Sequence, residues 1–182
     1  MDNARFFRLA APCVVALLAQ GNASAATQGS LGSTSTGSIS IGASVPNRVQ
    51  LTGLTDVSFV NQDPASAATN AQNVCVWSNT STRGYNVTAT GSGAGSAFTL
   101  ANGALTVPYS VQWSGSSGQA SGTALATGAP LSGLTSTATN ATCSAGPGST
   151  ASLIVNISAS SLQGMLAATT YTGTLTLVVA PE

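Results

Sequence analysis

The chain has 182 residues, of which only 4 are Lys or Arg, 4 are Asp or Glu, and none is histidine. This composition excludes the clustered cations that nucleic acids and anionic membranes require. It also leaves almost no groups for general acid–base catalysis, so we expect neither an enzyme nor a nucleic-acid-binding protein.

The N-terminal segment has the three parts of a secretory signal peptide. Two arginines supply a positive region, residues 9–19 are apolar, and residues 23–25 (Ala-Ser-Ala) form a small-x-small cleavage site. The apolar stretch is too short to remain in a bilayer as an anchor. We therefore predict a signal peptide over residues 1–25, export of the remaining chain, and no membrane insertion.

The segment that follows combines a linker with an alternating apolar pattern. Residues 27–38 (TQGSLGSTSTGS) are small and polar, which is typical of a flexible linker. Four alternating side chains then form one apolar face, which ends before Pro46: Ile39, Ile41, Ala43 and Val45. The pattern predicts a strand with two possible roles. It either pairs within its own chain or leaves its subunit and completes the sheet of a neighbour.

The rest of the chain shows the two-residue period of half-buried strands. Long alternations occur at 105–113, 153–157 and 171–179, and shorter ones at 48–52, 57–60, 73–77 and 84–90. Pro108 is expected on an edge strand or at a bulge, because proline cannot donate to a ladder.

Loops separate these strands. Clusters of Gly, Ser, Ala and Thr predict loops at 91–97, 114–122 and 144–150, and SSLQGML (160–166) predicts one helical turn. Several short strands joined by such loops predict an all-β, immunoglobulin-like sandwich. We expect one domain over residues 47–182, preceded by an arm over residues 26–46.

Two cysteines remain after the predicted signal peptide, Cys75 and Cys143. Two thiols in an exported chain predict a disulfide. A redox or metal pair would need CxxC spacing, histidine or nearby acids, which the sequence lacks. We therefore predict a structural bridge, no metal site and no cofactor.

Two further residue pairs have a functional and a structural interpretation. Asp56 and Asp63 could form a carboxylate pair, but their loop-rich surroundings favour solvated turn residues. Trp77 and Trp113 could stack on sugars, but aromatic residues on alternating strands favour a place in the core.

Three segments resemble a known family: 36–54 (TGSISIGASVPNRVQLTGL), 73–91 (NVCVWSNTSTRGYNVTATG) and 170–182 (TYTGTLTLVVAPE). Together with the LTVPYSVQW stretch, they resemble subunits of chaperone–usher pili, in the archaic and alternative branches that include spore-coat-U-like and colonisation-factor pilins. The resemblance implies a sandwich that lacks its last strand. A periplasmic chaperone would supply that strand first, and the arm of the next subunit would replace it at an outer-membrane usher.

The resemblance also implies roles for particular residues. The donor side chains would be Ile39, Ile41, Ala43 and Val45, and the acceptor groove would be lined by Tyr171, Leu175, Leu177 and Val179. The chain would then be a structural subunit of a surface pilus, with the chaperone, the usher and neighbouring subunits as partners, supporting adhesion or biofilm formation.

One departure from the family pattern leaves the subfamily open. Spore-coat-U-like subunits commonly carry a cysteine just after the donor strand, where this chain has residues 46–49 (PNRV). Two other functions also stay open. One is a secreted monomer that completes its own sandwich, and the other is a carbohydrate-binding adhesin module.

Overall fold

The computed structural model describes residues 25–182, so the predicted signal peptide lies outside the described residues except for Ala25. The described residues fall into two units, 25–45 and Pro46–Glu182. Within the described part, no helix is both long and apolar enough to cross a membrane.

The described part of the first unit is an arm with little regular structure. Thr27 and Ser38 form an isolated antiparallel bridge, with N–O distances of 2.9 and 3.0 Å. This bridge closes the predicted linker into a loop. Residues 39–45, which carry the alternating pattern, have neither helix nor strand structure.

The second unit is built from short strands. They are β1 (Val49–Thr52), β2 (Ala68–Ser78), β3 (Gly84–Gly91), β4 (Thr99–Asn102), β5 (Leu105–Pro108), β6 (Ser110–Ser114), β7 (Thr123–Ala124), β8 (Pro130–Thr135), β9 (Ala151–Ile157) and β10 (Leu175–Pro181). A 3-10 turn (Ala94–Ser96) and one short helix, α1 (Ala159–Gln163), complete the regular structure. Ser158 caps α1, since its side chain accepts a hydrogen bond from the Ser161 N–H.

The strands form two main sheets. One has the order β1-β2-β9-β6-β7, the other has the order β10-β3-β8, and β4 and β5 form a separate hairpin. The ladders between these strands are antiparallel. The apolar faces of both main sheets contribute to one core. The prediction of an all-β sandwich is therefore confirmed.

The centre of the core is formed by large side chains from both sheets. Trp113 of β6 and Tyr85 of β3 are 1 % and 0 % exposed, and the Trp113 Nε1–H donates to the Tyr85 hydroxyl at 3.3 Å. Burial raises the pKa of Tyr85, although the bond from Trp113 opposes this shift. The core position predicted for Trp113 is thus observed, and the pair satisfies the polar atoms that burial would otherwise leave unpaired.

The predicted Cys75–Cys143 disulfide is present, and it joins residues 68 apart in the sequence. Cys75 lies on β2, and Cys143 lies in the long loop that leads to β9. Both are buried together with Ala138, and Trp77 packs against this small cluster. The bridge fastens the loop to the five-stranded sheet.

Two strand predictions need correction. The alternation at 105–113 is not one strand, because it divides into β5, which pairs with β4, and β6, which pairs with β9. Pro108 ends β5, as expected of a residue that cannot donate to a ladder. The pattern at 57–60 forms no strand, because its backbone has no partner strand within residues 46–182.

The carboxylate of Glu182 ties the last strand to its sheet. One oxygen accepts from the Gly133 N–H of β8 at 2.8 Å, and the other accepts from the Asn86 side chain of β3 at 3.4 Å. The Gly133 bond, with help from Ser132 and Asn86, lowers the pKa of Glu182 below its usual 4.5.

This pKa shift predicts a small acid sensitivity. Because the folded state favours the charged carboxylate, the stabilisation is complete above the unfolded pKa and is lost as the pH falls through the lower folded value. We expect Glu182→Gln to destabilise the chain slightly at pH 6 and not at pH 3. Urea unfolding midpoints across this range measure the effect, and equal differences at both pH values would contradict it.

Candidate functional site

A groove of about 1040 Å³ with an apolar floor opens on one side of the sandwich and reaches its core. Its floor is formed by buried side chains from β9, α1 and the β5–β6 junction: Leu153, Val155, Ile157, Leu162 and Tyr109. Burial raises the pKa of the Tyr109 phenol, which therefore stays neutral. Since no charged side chain lies on this floor, the groove suits an apolar occupant.

The first wall of the groove is an extended segment, residues 54–60, which we call the wall segment. It follows Gly53, whose φ of +84° turns the chain out of the line of β1. Val57 and Phe59 are half-buried against the core, whereas Leu54 and Val60 are 47 % and 66 % exposed. The wall segment thus has the alternation of a strand, although it belongs to no ladder within residues 46–182.

A single side chain fixes the start of the wall segment. The Gln72 amide, on β2, accepts from the Thr55 N–H at 2.8 Å and donates to the Thr55 carbonyl at 3.1 Å. The Thr55 hydroxyl also donates to the Gln72 carbonyl oxygen at 3.2 Å. The Gln72 amide bonds both the N–H and the carbonyl of Thr55, as the backbone of a paired strand would. Thr55 therefore keeps a defined position beside β2.

The second wall is the edge strand β10. It pairs with β3 along its full length, from Leu175 opposite Gly91 to Pro181 opposite Tyr85, and it ends the three-stranded sheet. Its inward side chains Leu175, Leu177 and Val179 are only half-buried, although they pack against the core. A further strand would cover them and would pair with the free edge of β10.

The structure unites three of the four predicted acceptor residues in the groove. Tyr171, Leu175 and Leu177 line it, and the Tyr171 hydroxyl accepts from the Leu166 N–H at 3.2 Å. Val179 does not line it, because β1 lies against β10. The groove is therefore open beside the start of β10 and narrow beside its end. We call the open part the mouth.

Sequence reasoning missed the wall segment as a groove element. The VSFV alternation predicted a strand there, but nothing in the pattern revealed that this strand would lack a partner. It also missed the floor, to which Leu153 of β9 and Leu162 of α1 contribute.

The predicted donor residues are exposed. Ile39, Ile41 and Val45 are 72 %, 87 % and 80 % exposed, and Ala43 is exposed as well. A row of uncovered aliphatic side chains at strand spacing is unfavourable in water, so burial of this face would be favourable.

The few charged side chains of residues 46–182 lie in two regions, one near the β2–β3 turn and one at or just after the wall segment. Arg48, Arg83 and Glu182 are near the β2–β3 turn, where the Asn79 N–H donates to the Arg48 carbonyl at 3.1 Å and the Glu182 N–H donates to the Gly84 carbonyl at 3.0 Å. Asp56 lies in the wall segment at the mouth.

Asp63 follows the wall segment, and its carboxylate accepts from the Ala65 N–H at 2.9 Å, which makes it a turn residue. Within residues 25–182, no group of three or more His, Cys, Asp or Glu side chains could hold a metal ion.

Comparison with known proteins shows similarity to a solved structure. No protein-family model matches the chain, and no curated protein matches it. A chain from the structure titled "Chaperone-tip adhesin complex is vital for synergistic activation of CFA/I fimbriae biogenesis" is similar with a TM-score of 0.47 and 13% identity. The similarity covers 75% of this chain and 41% of that one.

Proposed function

We propose that this protein is a structural subunit of a pilus, in which the arm of one copy fills the groove of the next. One observation carries the proposal: residues 46–182 have a groove with an apolar floor between the wall segment and the free edge of β10, and residues 39–45 carry an exposed apolar face. The arm offers what would complete the groove. It has alternating aliphatic side chains to cover the apolar floor, and main-chain donors and acceptors to pair with the free edge of β10.

The dimensions of the two parts agree. The alternating arm segment 39–45 and β10, from Leu175 to Pro181, are both seven residues long. At about 3.3 Å per residue, each spans roughly 23 Å. An arm strand of this length matches β10, with its apolar face toward the groove floor, and pairing along the whole of β10 requires β1 to move aside at the narrow end.

The energies favour a long-lived joint. Covering three large aliphatic side chains contributes roughly 1.5–3 kcal/mol each, and main-chain pairing with β10 adds to this. The joint is head-to-tail, since each copy donates an arm at one site and accepts an arm at another. Heterologous contacts of this kind extend into a fibre when they do not close into a ring.

An open groove also implies an assembly partner before polymerisation. An uncovered apolar groove beside an unpaired strand edge would aggregate during export. A periplasmic chaperone that covers the groove, and an outer-membrane usher that exchanges the chaperone for an arm, would prevent this. Both partners, the cell-surface location and a non-enzymatic role in adhesion or biofilm formation come from the resemblance of residues 36–54, 73–91 and 170–182 to pilus subunits.

Placing a charge on the arm tests the proposal. Ile41→Arg would have to bury a guanidinium at the narrow end of the groove, where β1 lies against β10, so we expect assembly to weaken by at least about 100-fold. Size-exclusion chromatography with light scattering of the exported chain gives the distribution of polymers and monomers.

Leu31→Arg is the matched control, because Leu31 is an exposed apolar residue of the same arm outside the alternating segment. This variant is expected to assemble as the unchanged chain does. A chain that stays monomeric whether or not its arm is changed would indicate a secreted monomer and overturn the proposal.

A further inference from the structure

We infer that Arg48 of one copy pairs with Asp56 of the next, and that this pair sets the direction in which the arm enters the groove. The inference rests on the proposed function and names charged partners for the same joint. It follows from where the few charges of the chain lie relative to the arm and to the mouth.

Arg48 is fixed at the root of the arm. Its N–H donates to the Asn79 side-chain oxygen at 2.5 Å, and the Asn79 amide donates to the Pro46 carbonyl at 2.9 Å. These bonds extend the pairing of β1 with β2 back to Pro46. The guanidinium therefore stands three residues after Val45, on backbone that belongs to the rigid sandwich, and it is exposed.

Asp56 stands at the mouth of the groove. It lies one residue after Thr55, whose backbone the Gln72 amide holds at both its N–H and its carbonyl. The Asp56 side chain is exposed, and no hydrogen bond or ion pair within the described chain occupies its carboxylate. A carboxylate with no partner among residues 25–182 is thus located where an incoming arm would pass.

The direction of the strands brings the two charges together. The ladders of the sandwich are antiparallel, so an arm added to β10 in the same manner runs from the narrow end of the groove to the mouth. Val45 would then lie beside Leu175. Arg48 would lie about 10 Å further along, level with the wall segment that carries Asp56.

The opposite direction brings like charges together. An arm parallel to β10 would carry Arg48 to the narrow end of the acceptor, where the acceptor's own Arg48 and Arg83 lie near the β2–β3 turn. Glu182 also lies at that end, and its carboxylate, which Gly133 and Asn86 hold by hydrogen bonds, offsets one of these two positive charges. Because like charges disfavour one arrangement and opposite charges favour the other, the pair provides specificity more than strength.

A cross-linking experiment with the full exported chain tests the geometry. The double variant Arg48→Cys and Asp56→Cys is expected to form disulfides between chains. The two positions are separated by β1 within one chain, at about 3.3 Å per residue, so they cannot bridge internally.

The matched control pairs Arg48→Cys with Thr123→Cys, since Thr123 is exposed on β7 at the far edge of the five-stranded sheet. On a non-reducing gel, this control should show no ladder of cross-linked chains. Its band pattern should be the same as on a reducing gel. Equal cross-linking in both variants would overturn the inference.

Charge exchange tests the energetics. Arg48→Glu and Asp56→Arg are each expected to slow assembly about 10-fold at low salt, with a smaller effect at 1 M salt, and the double exchange should restore the rate. Asp63→Arg is the control for Asp56→Arg. It makes the same change of charge at a turn residue, and we expect an unchanged rate.

The outcomes separate this inference from the proposed function. Normal assembly of both single charge variants, without cross-linking through positions 48 and 56, overturns the pairing of Arg48 with Asp56 and leaves the arm-in-groove proposal standing. If the unchanged chain never assembles, both the pairing of Arg48 with Asp56 and the arm-in-groove proposal are overturned.

Discussion

Mixing two variants that cannot polymerise alone is expected to give a dimer that cannot grow. Ile41→Arg disables the arm but leaves the groove intact, whereas Leu177→Arg disables the groove but leaves the arm intact. In the mixture, the intact arm can enter the intact groove. The resulting dimer exposes only the disabled arm and the disabled groove, so growth stops after one step.

The location of Leu177 gives the physical reason for its choice. It lies on the inward face of β10, lines the groove and is half-buried against the core. An arginine there must extend toward solvent to keep its guanidinium hydrated. Its side chain would then occupy the space that the incoming strand needs. The loss of one buried aliphatic contact and the obstruction together should weaken acceptance by at least about 100-fold.

Native mass spectrometry of each variant and of the equimolar mixture measures this result. Val178→Arg is the matched control for folding, because Val178 neighbours Leu177 on the same strand, faces outward and is 57 % exposed. It should polymerise normally. Polymers in either single variant, or a mixture that stays monomeric although Val178→Arg polymerises, would contradict an arm-in-groove joint.

Removing the disulfide is expected to have the largest effect on stability. The Cys75–Cys143 bridge closes a loop between residues 68 apart, for which chain entropy predicts about 4 kcal/mol. Domains of this size are typically stable by about 5–15 kcal/mol, so the change would be a large part of the total. We expect the double variant Cys75→Ala and Cys143→Ala to unfold at a much lower urea concentration.

A redox comparison provides the control for this prediction. The reduced form of the unchanged chain should unfold near the same urea concentration as the double alanine variant, since both lack the bridge. Reduction should not affect the double variant. An unchanged midpoint in the variant would show that the buried cluster with Ala138 and Trp77, and not the covalent link, fastens the loop.

The central strands were predictable from sequence because apolar residues recur along them at every second position. β2, β3 and β9 contain the predicted alternations at 73–77, 84–90 and 153–157, and both faces of β9 are buried. By contrast, β7 has only two residues and β8 is mostly exposed, so neither leaves a periodic signal. Short edge strands obtain their structure from a neighbour's backbone, which a pattern of side chains does not show.

The groove was only partly predictable. The alternation of Leu175, Leu177 and Val179 identified one wall, but the narrowing near Val179 depends on the approach of β1 to β10. The other wall carried the same kind of pattern and was predicted to be an ordinary strand. Pairing is a relation between distant segments, and one sequence alone does not reveal which strand will lack a partner.

The sequence by itself determined that this chain is an all-β protein with few charges, a disulfide and an apolar arm. Composition and two-residue periodicity are local properties, and they follow directly from residue type and order. Only the tertiary structure decided that the wall segment and β10 would border one open groove, and that Asp56 would stand at its mouth. Those facts depend on contacts between residues more than 100 positions apart, which arise when the sheets pack.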